Sequence, residues 1–241
     1  MMDRQLYALQ ARMTFLIMHA NLTLYEKLNI PVISTTRPFD FYRRVLFNNQ
    51  TEEQLKQTLT GKVLVDIGCG LTPFVEDSMF QWCRRQGIDF YGVDPKLKGG
   101  FKFGLFDRIK SRITGAKSAP DPDIAGQEKT IATYANKLPF EDSSVDEILS
   151  CWLIFSWIRR DYLLSDIFSE FNRVLKPGGN IRLFPTPHIR QIRRQYPRLN
   201  AALEGYATEQ SFLFSADILS LPPAFATRFS KGRATELTYD T

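Results

Sequence analysis

Apolar side chains recur at Leu6, Leu9, Met13, Leu16, Ile17, Ala20 and Leu24, the three- and four-residue spacing that turns one stripe of a helix toward a core. Asn29-Ile30-Pro31 stops that helix, because proline disfavours helical backbone in the residue before it. Thr51 followed three residues on by Gln54 is a capping-box signature, and Gly61 supplies a C-terminal stop, so a second short helix is predicted between them. Residues 1–60 therefore read as a helical extension placed to form a lid.

The period changes at residue 61. Val63-Leu64-Val65-Asp66-Ile67 is a nearly continuous apolar run, which suits a strand buried on both faces of a parallel sheet, and Gly68-Cys69-Gly70 breaks it into a tight turn. Thr72 is the expected N-cap of the next helix, with Pro73 at its first position, Glu76 and Asp77 at the positive end of its dipole, and Gly87 at its end. Further strands are predicted at Asp89–Val93, closed by Asp94-Pro95, at Thr130–Tyr134, at Val145–Cys151 and at Asn180–Phe184, with a crossover helix over Tyr162–Leu175. Alternation of this kind means a doubly wound, mostly parallel α/β sheet over residues 61–241. Ala224–Ser230 and Ala234–Tyr239, joined by Lys231-Gly232-Arg233, read as an antiparallel hairpin at its edge.

Composition narrows the setting. A chain of 241 residues with 44% hydrophobic content can bury a substantial core. The most apolar N-terminal piece, Phe15-Leu16-Ile17-Met18, lies between Arg12 and His19 and is too short to span a bilayer, and the start lacks the order of a secretion signal. Cys69, Cys83 and Cys151 make an odd count with no paired metal spacing, so neither a disulfide framework nor a zinc site is indicated and a reducing cytoplasm is expected. Of the net charge of +5, the stretch from Lys96 to Lys117 carries a local excess of six, leaving the remainder nearly neutral. Such a patch attracts phosphate, carboxylate or an anionic membrane surface, or simply solvates a face. Within it, Gly100 to Thr114 reads as a basic amphipathic segment for a peripheral membrane contact, as a cap over a pocket, or as the ordinary helix after the second strand. Thr114–Gln127, rich in Gly, Pro, Ala and Asp, reads as an exposed loop or insertion.

The glycine turn carries the candidate chemistry. Asp94 ends the second strand 24 residues after Gly70, where a carboxylate can receive both ribose hydroxyls of a nucleoside lying across the turn. Pro73 stands where a dinucleotide fingerprint wants a third glycine, and no Walker lysine follows, so the turn is not read as a pyrophosphate cradle.

Four blocks in order, Val63 to Gly70, Gly92-Val93-Asp94, Leu138-Pro139-Phe140-Glu141-Asp142-Ser143-Ser144-Val145-Asp146 and Arg173-Val174-Leu175-Lys176-Pro177-Gly178-Gly179, resemble the class I S-adenosylmethionine-dependent methyltransferases of the type 11 kind. The resemblance implies a Rossmann-like fold and S-adenosylmethionine as cofactor. It implies that Gly68, Cys69 and Gly70 bring backbone to the cofactor's amino-acid end and that Asp66 favours its ammonium. Asp94 would take the ribose, Ala135 to Leu138, with Asn136 and Leu138, would lie near the adenine, and Ser150, Cys151 and Trp152 would face the methyl group and the acceptor.

The chain departs from the family pattern in three places. Thr72 stands where a further glycine is common, Thr133-Tyr134-Ala135-Asn136 lacks the acid that often meets the adenine amino group, and Leu153-Ile154-Phe155-Ser156-Trp157 replaces the frequent histidine and acid after the fourth strand. His188 is then the candidate base, a surface loop histidine being its other reading. Arg190, with Arg193, Arg194 and Arg198, forms a second basic run that suits a phosphate- or carboxylate-bearing small acceptor or a solvated helix. Neither an Asn-Pro-Pro-Tyr nor a Pro-Cys nucleophile motif is present, which disfavours a nucleic-acid acceptor. The expected function is methyl transfer to a small or anionic acceptor. A methyltransferase-like binding module without turnover is the alternative, and an RNA methyltransferase stands behind it.

Overall fold

The structure is a computed structural model that describes residues 2–27, 37–99, 119–213 and 223–232. Strands β1 (Val63–Ile67), β2 (Asp89–Val93), β3 (Thr130–Ile131), β4 (Val145–Cys151) and β5 (Leu175–Thr186) pair in parallel. The pair β6 (Tyr206–Leu213) and β7 (Ala224–Lys231) adds an antiparallel edge, giving the order β3-β2-β1-β4-β5-β7-β6. The chain leaves β1 toward β2 and β3, then returns to lay β4 on the other side of β1. That reversal opens a crevice at the carboxyl ends of β1 and β4, the place where open α/β sheets take ligands.

The described helices are α1 (Met2–Lys27), α2 (Phe39–Leu46), α3 (Glu52–Leu59), α4 (Met79–Arg85), α5 (Asp161–Val174), α6 (Ile189–Gln195) and α7 (Pro197–Ala202). Successive strand residues point to opposite faces, so the sheet sorts its apolar side chains into two cores. Val65, Ile67, Ile148 and Leu183 meet Leu164, Phe168 and Phe171 of α5 with Ile192 and Leu199 of α6 and α7. Leu64, Leu149 and Phe184 meet Tyr42, Val45 and Leu46 of α2, Leu55 and Leu59 of α3, and Met79, Phe80 and Cys83 of α4. Each such side chain stabilises the fold by about 1.5–3 kcal/mol when fully withdrawn from water.

The second predicted helix forms as read, with Thr51 Oγ1 accepting from the Gln54 amide and Gln54 Oε1 accepting from the Thr51 amide. Four expectations are corrected. The α1 stripe is turned outward: Leu6, Leu9, Met13, Leu16, Ile17 and Leu24 are exposed, while Ala11, Phe15 and Leu22 are buried. The helix carries apolar residues on two faces, and the small Ala11 with the long Phe15 makes the face that fits the core. Thr72 does not cap a long helix. Thr72–Phe74 is a single 3₁₀ turn, and α4 starts later, capped by Ser78, whose hydroxyl accepts from the Gln81 amide at 3.2 Å. β5 begins at Leu175 and so includes the Pro-Gly-Gly block, whereas β3 is only two residues long.

The hairpin also has a different partner. β7 pairs with β6, which precedes it, and the predicted arm Ala234–Tyr239 lies outside the described residues, as does Gly100 to Thr114. β6 escapes the sequence reading because its inward positions alternate with Glu209 and Ser211 and are only half buried, the pattern of an edge strand. α2 escapes it too, although Phe39, Tyr42, Val45 and Leu46 have helical spacing.

Candidate active site

β1 ends at Ile67, and the chain turns through Gly68 and Gly70 at φ of 74° and 55°, left-handed backbone that favours glycine. The Gly68 amide donates to the Val93 carbonyl at 2.7 Å, which holds the turn against the end of β2. A side chain on Gly68 would also strike Leu153 of the loop after β4, 2.8 Å from where its Cβ would be. The missing third glycine is answered from the opposite strand. Gly92 lies under the Pro73 ring and the Cys69 thiol, at 2.8 and 3.0 Å from the place of a Cβ, so the close approach is made by a glycine on β2 instead of one on the turn. Cys69 thus spends its side chain on packing, and burial pushes its thiol well up.

Asp94 is organised by the same turn: its Oδ2 accepts from the Gly70 amide at 3.1 Å and its Oδ1 from the Lys96 amide at 2.9 Å. A carboxylate has about four lone-pair positions, so two remain for hydroxyl donors. Asp66 lies on the α2 face of β1, buried, with Oδ2 accepting from the Tyr42 hydroxyl at 2.6 Å and Oδ1 unpartnered. Burial pushes the Asp66 carboxyl up to about 7; the Tyr42 hydrogen bond pulls it down and the Asp94 carboxylate adds to the rise. Tyr42 is itself pushed well up, first by burial and then by Asp66, so it remains a donor. The sequence reading missed Tyr42, and its helical spacing with Phe39 and Leu46 was the available signal.

The end of β4 forms the other wall. Ser150 Oγ donates to the Ile67 carbonyl at 2.8 Å and ties β4 to β1. Cys151 is buried, and Trp152 takes a left-handed φ of 66° while its amide donates to the Phe184 carbonyl at 2.7 Å. Such backbone is uncommon for a bulky residue and persists only where the surroundings enforce it. Arg37, also missed, reaches this wall from before α2, with its guanidinium 4.7 Å from the Phe41 ring centre and 5.1 Å from that of Trp152.

Of the remaining candidates, Asn136 is half buried and Leu138 buried. Their loop is braced by the Leu138 amide donating to Glu170 at 2.7 Å and by Arg173 donating to the Leu138 carbonyl at 3.0 Å. His188 caps α6, its Nδ1 accepting from the Arg190 amide at 3.2 Å, and its ring packs on Phe225; Arg190 is exposed. The Gly70 amide thus ties Asp94 to the turn and the Gly68 amide ties the turn to β2, with Asp66 two residues before it on β1, while His188 and Arg190 belong to the β5–β7 side. The other histidine, His19 of α1, hydrogen bonds the Phe155 carbonyl at 3.1 Å in the loop after β4.

Residues 65–183 match the sequence profile of the family described as methyltransferase domain. The chain carries a methyltransferase domain. It is of the class I kind that uses S-adenosylmethionine, and the turn, Asp66, Asp94 and β4 all fall within the matched residues. Arg37 and Tyr42 lie before it, and β6 and β7 after it.

Among solved structures, the chain is similar to the 16S rRNA (adenine(1408)-N(1))-methyltransferase from Catenulisporales acidiphilia, at 16% identity and a TM-score of 0.46, over 75% of this chain and 92% of that one. It is also similar to a SAM-dependent methyltransferase from Methanosarcina mazei, at 17% identity and a TM-score of 0.43, over 74% and 97%. A geranyl diphosphate methyltransferase solved with SAM gives 18% identity and a TM-score of 0.40, over 75% and 83%. No curated protein matches the chain. The methyltransferase domain fits its cofactor on an observation of its own: Asp66 Oδ1 is a buried acceptor without a donor, and the cofactor carries an ammonium.

Proposed function

We propose that the chain transfers the methyl group of S-adenosylmethionine to a small acceptor bearing an anionic group. The observation that carries the cofactor half is the unpartnered, buried Oδ1 of Asp66 beside the glycine turn. When bound, the cofactor supplies an electrophilic methyl group on a sulfonium. Asp66 would receive its ammonium, the backbone of Gly68, Cys69 and Gly70 its amino-acid end, Asp94 its ribose hydroxyls, and Asn136 with Leu138 its adenine. Cys151 and Trp152 would flank the methyl group, with Phe41 and Phe184 excluding water from the acceptor.

The loop Leu153–Trp157 offers no ionisable group to remove a proton. Displacement at a sulfonium methyl needs alignment and desolvation first, and an acceptor that is already nucleophilic needs no base. His188 and Arg190 are then candidates for the outer acceptor region. With Nδ1 accepting at the cap of α6, neutral His188 carries its proton on Nε2 and would act there as a donor, becoming a base only if the cap bond is broken. His188→Ala with unchanged turnover would remove it from the chemistry. The free cysteines Cys69, Cys83 and Cys151 support a reducing, cytoplasmic setting.

Calorimetric titration with S-adenosylmethionine and with its demethylated product tests the reading. Binding of both is expected. No binding of either overturns the assignment, whereas tight binding with no transfer across a broad acceptor panel favours the binding-module reading that the altered loop after β4 motivates.

A further inference from the structure

Arg37 is only 7% exposed, yet its Nε has no hydrogen-bond partner. The indole Nε1 of Trp152, whose ring lies against the same guanidinium, is likewise buried and unpartnered. The groups that bear most on the Arg37 charge are Cys151 and Tyr42, and burial keeps both of those protonated and neutral. Among the described residues no carboxylate forms an ion pair with it. A buried cation with no counter-charge and an adjacent buried N–H without an acceptor are each costly, and one ligand oxyanion answers both.

Resting on the methyl-transfer reading above, we infer that Arg37 and Trp152 form the subsite that holds the anionic group of the acceptor, a carboxylate or a phosphate. Strand order separates this subsite from the cofactor's. Asp66 and Asp94 mark the β1 and β2 side of the crevice, whereas Trp152 follows β4 and packs on Phe184 of the next strand, β5. The acceptor's anion is thus held on the side of the crevice away from the ribose. Phe41, Trp152 and Phe184 supply apolar walls, Phe41 meeting Phe184 edge-on at 5.9 Å, which suits an acceptor with an aromatic or other flat apolar body. The indole is held from two sides, by the edge-on Phe184 ring and by the Arg37 guanidinium over its face. The exposed arginines of α6 become a route of approach, not the binding site.

The test is calorimetric titration of the full chain, first saturated with S-adenosylhomocysteine, with benzoate and phenyl phosphate as anionic probes and benzamide as the neutral control. Anionic probes are expected to bind at least about tenfold more tightly than benzamide. Arg37→Met should abolish that preference. Arg37→Lys should recover part of it, because an ammonium keeps the charge without the planar fork, and Trp152→Phe should weaken the anions by about three- to tenfold by removing one donor. S-adenosylhomocysteine affinity should stay within about twofold in Arg37→Met. Loss of cofactor affinity in Arg37→Met, with its thermal transition intact, would overturn the inference by assigning the arginine to the cofactor's own carboxylate. Equal binding of benzamide and the anions would overturn it as well. If Arg37→Met does not fold, unchanged anion affinity in Trp152→Phe is the result that sinks it. Failure of the unaltered chain to bind S-adenosylhomocysteine would instead overturn the methyl-transfer reading on which this one stands.

Discussion

Withdrawal from water pushes the Asp66 carboxyl up to about 7, so the folded chain holds a proton there that the unfolded chain has already released. Between the ordinary value of 3.8 and about 7 the native state binds more protons than the unfolded state, and stability therefore falls as pH rises through that window. Below it the two states are equally protonated, and above it the full cost of the buried charge is present. Asp66→Asn keeps an oxygen for the Tyr42 hydroxyl and removes the charge. The cofactor-free variant is expected to be more stable than the unaltered chain at pH 8, by on the order of a few kcal/mol, and nearly equal to it at pH 4. It should lose cofactor affinity at both, and thermal melts with titrations at the two pH values check this. Gly92→Ala makes a separate prediction, since its Cβ would meet Pro73 at 2.8 Å and Cys69 at 3.0 Å. A loss of about 1–3 kcal/mol in chemical denaturation, with weakened S-adenosylhomocysteine binding, is expected because the displaced atoms belong to the turn itself. Asp66, Gly68, Gly70 and Asp94 were legible in the sequence because each stands at a strand end that its own neighbours define. Tyr42 and Arg37 were not, because their meaning arises from contacts with Asp66 and Trp152 that no local pattern encodes.

The position of Tyr42 is a property of α2, and α2 is pinned from the sheet. Arg182 of β5 donates to Glu147 of β4 at 2.8 Å, donates to the Leu46 carbonyl at the end of α2 at 3.0 Å, and lies 4.8 Å from the Phe47 ring centre. Glu147 also accepts from Asn180 and Lys62, so the charges of this buried network are satisfied together. Arg182→Met leaves Glu147 short of its main counter-charge and frees the end of α2. A loss of about 3–5 kcal/mol is expected, since removing one member strands the other, and cofactor affinity should fall although no site residue is altered. Urea denaturation and calorimetry read the two effects separately. Elements whose ends carry their own chemistry were legible: Thr51 and Gln54 cap α3, and β1 and β2 ended where the following glycine or acid placed them. The start of α4 was misread because Thr72 and Ser78 are both good caps, and the extended Val75 between them decides the matter through tertiary packing.

Across the whole molecule, α1 is held by contacts distant in sequence: Thr14 donates to the Pro223 carbonyl at 2.7 Å, Tyr7 stacks on Phe212 with ring centres 4.5 Å apart, and Phe15 enters the core. Its outward leucines give a direct check of which face is buried. Phe15→Ala is expected to cost about 3–5 kcal/mol, whereas Leu16→Lys, one position on, should change stability by no more than about 0.5 kcal/mol. Denaturant midpoints of the two variants measure the contrast, and the opposite ranking would restore the stripe read from the sequence. That stripe was legible as helical but not in its orientation, because periodicity reports that a face is apolar and not which neighbour it meets. The hydrogen bond from Tyr42 to Asp66 carries one more consequence. The hydroxyl comes from upstream of residues 65–183 and the acid from within them, so a gene fragment cut to the matched residues would encode the glycine turn and Asp66 without the hydroxyl that hydrogen bonds that acid. It would also lack Arg37, and the removal of β7 would leave the outer edge of β5 and the Phe168 ring without Phe229. Trading the matched segment between related chains as a cassette would therefore exchange the turn but leave behind the residues that tune it.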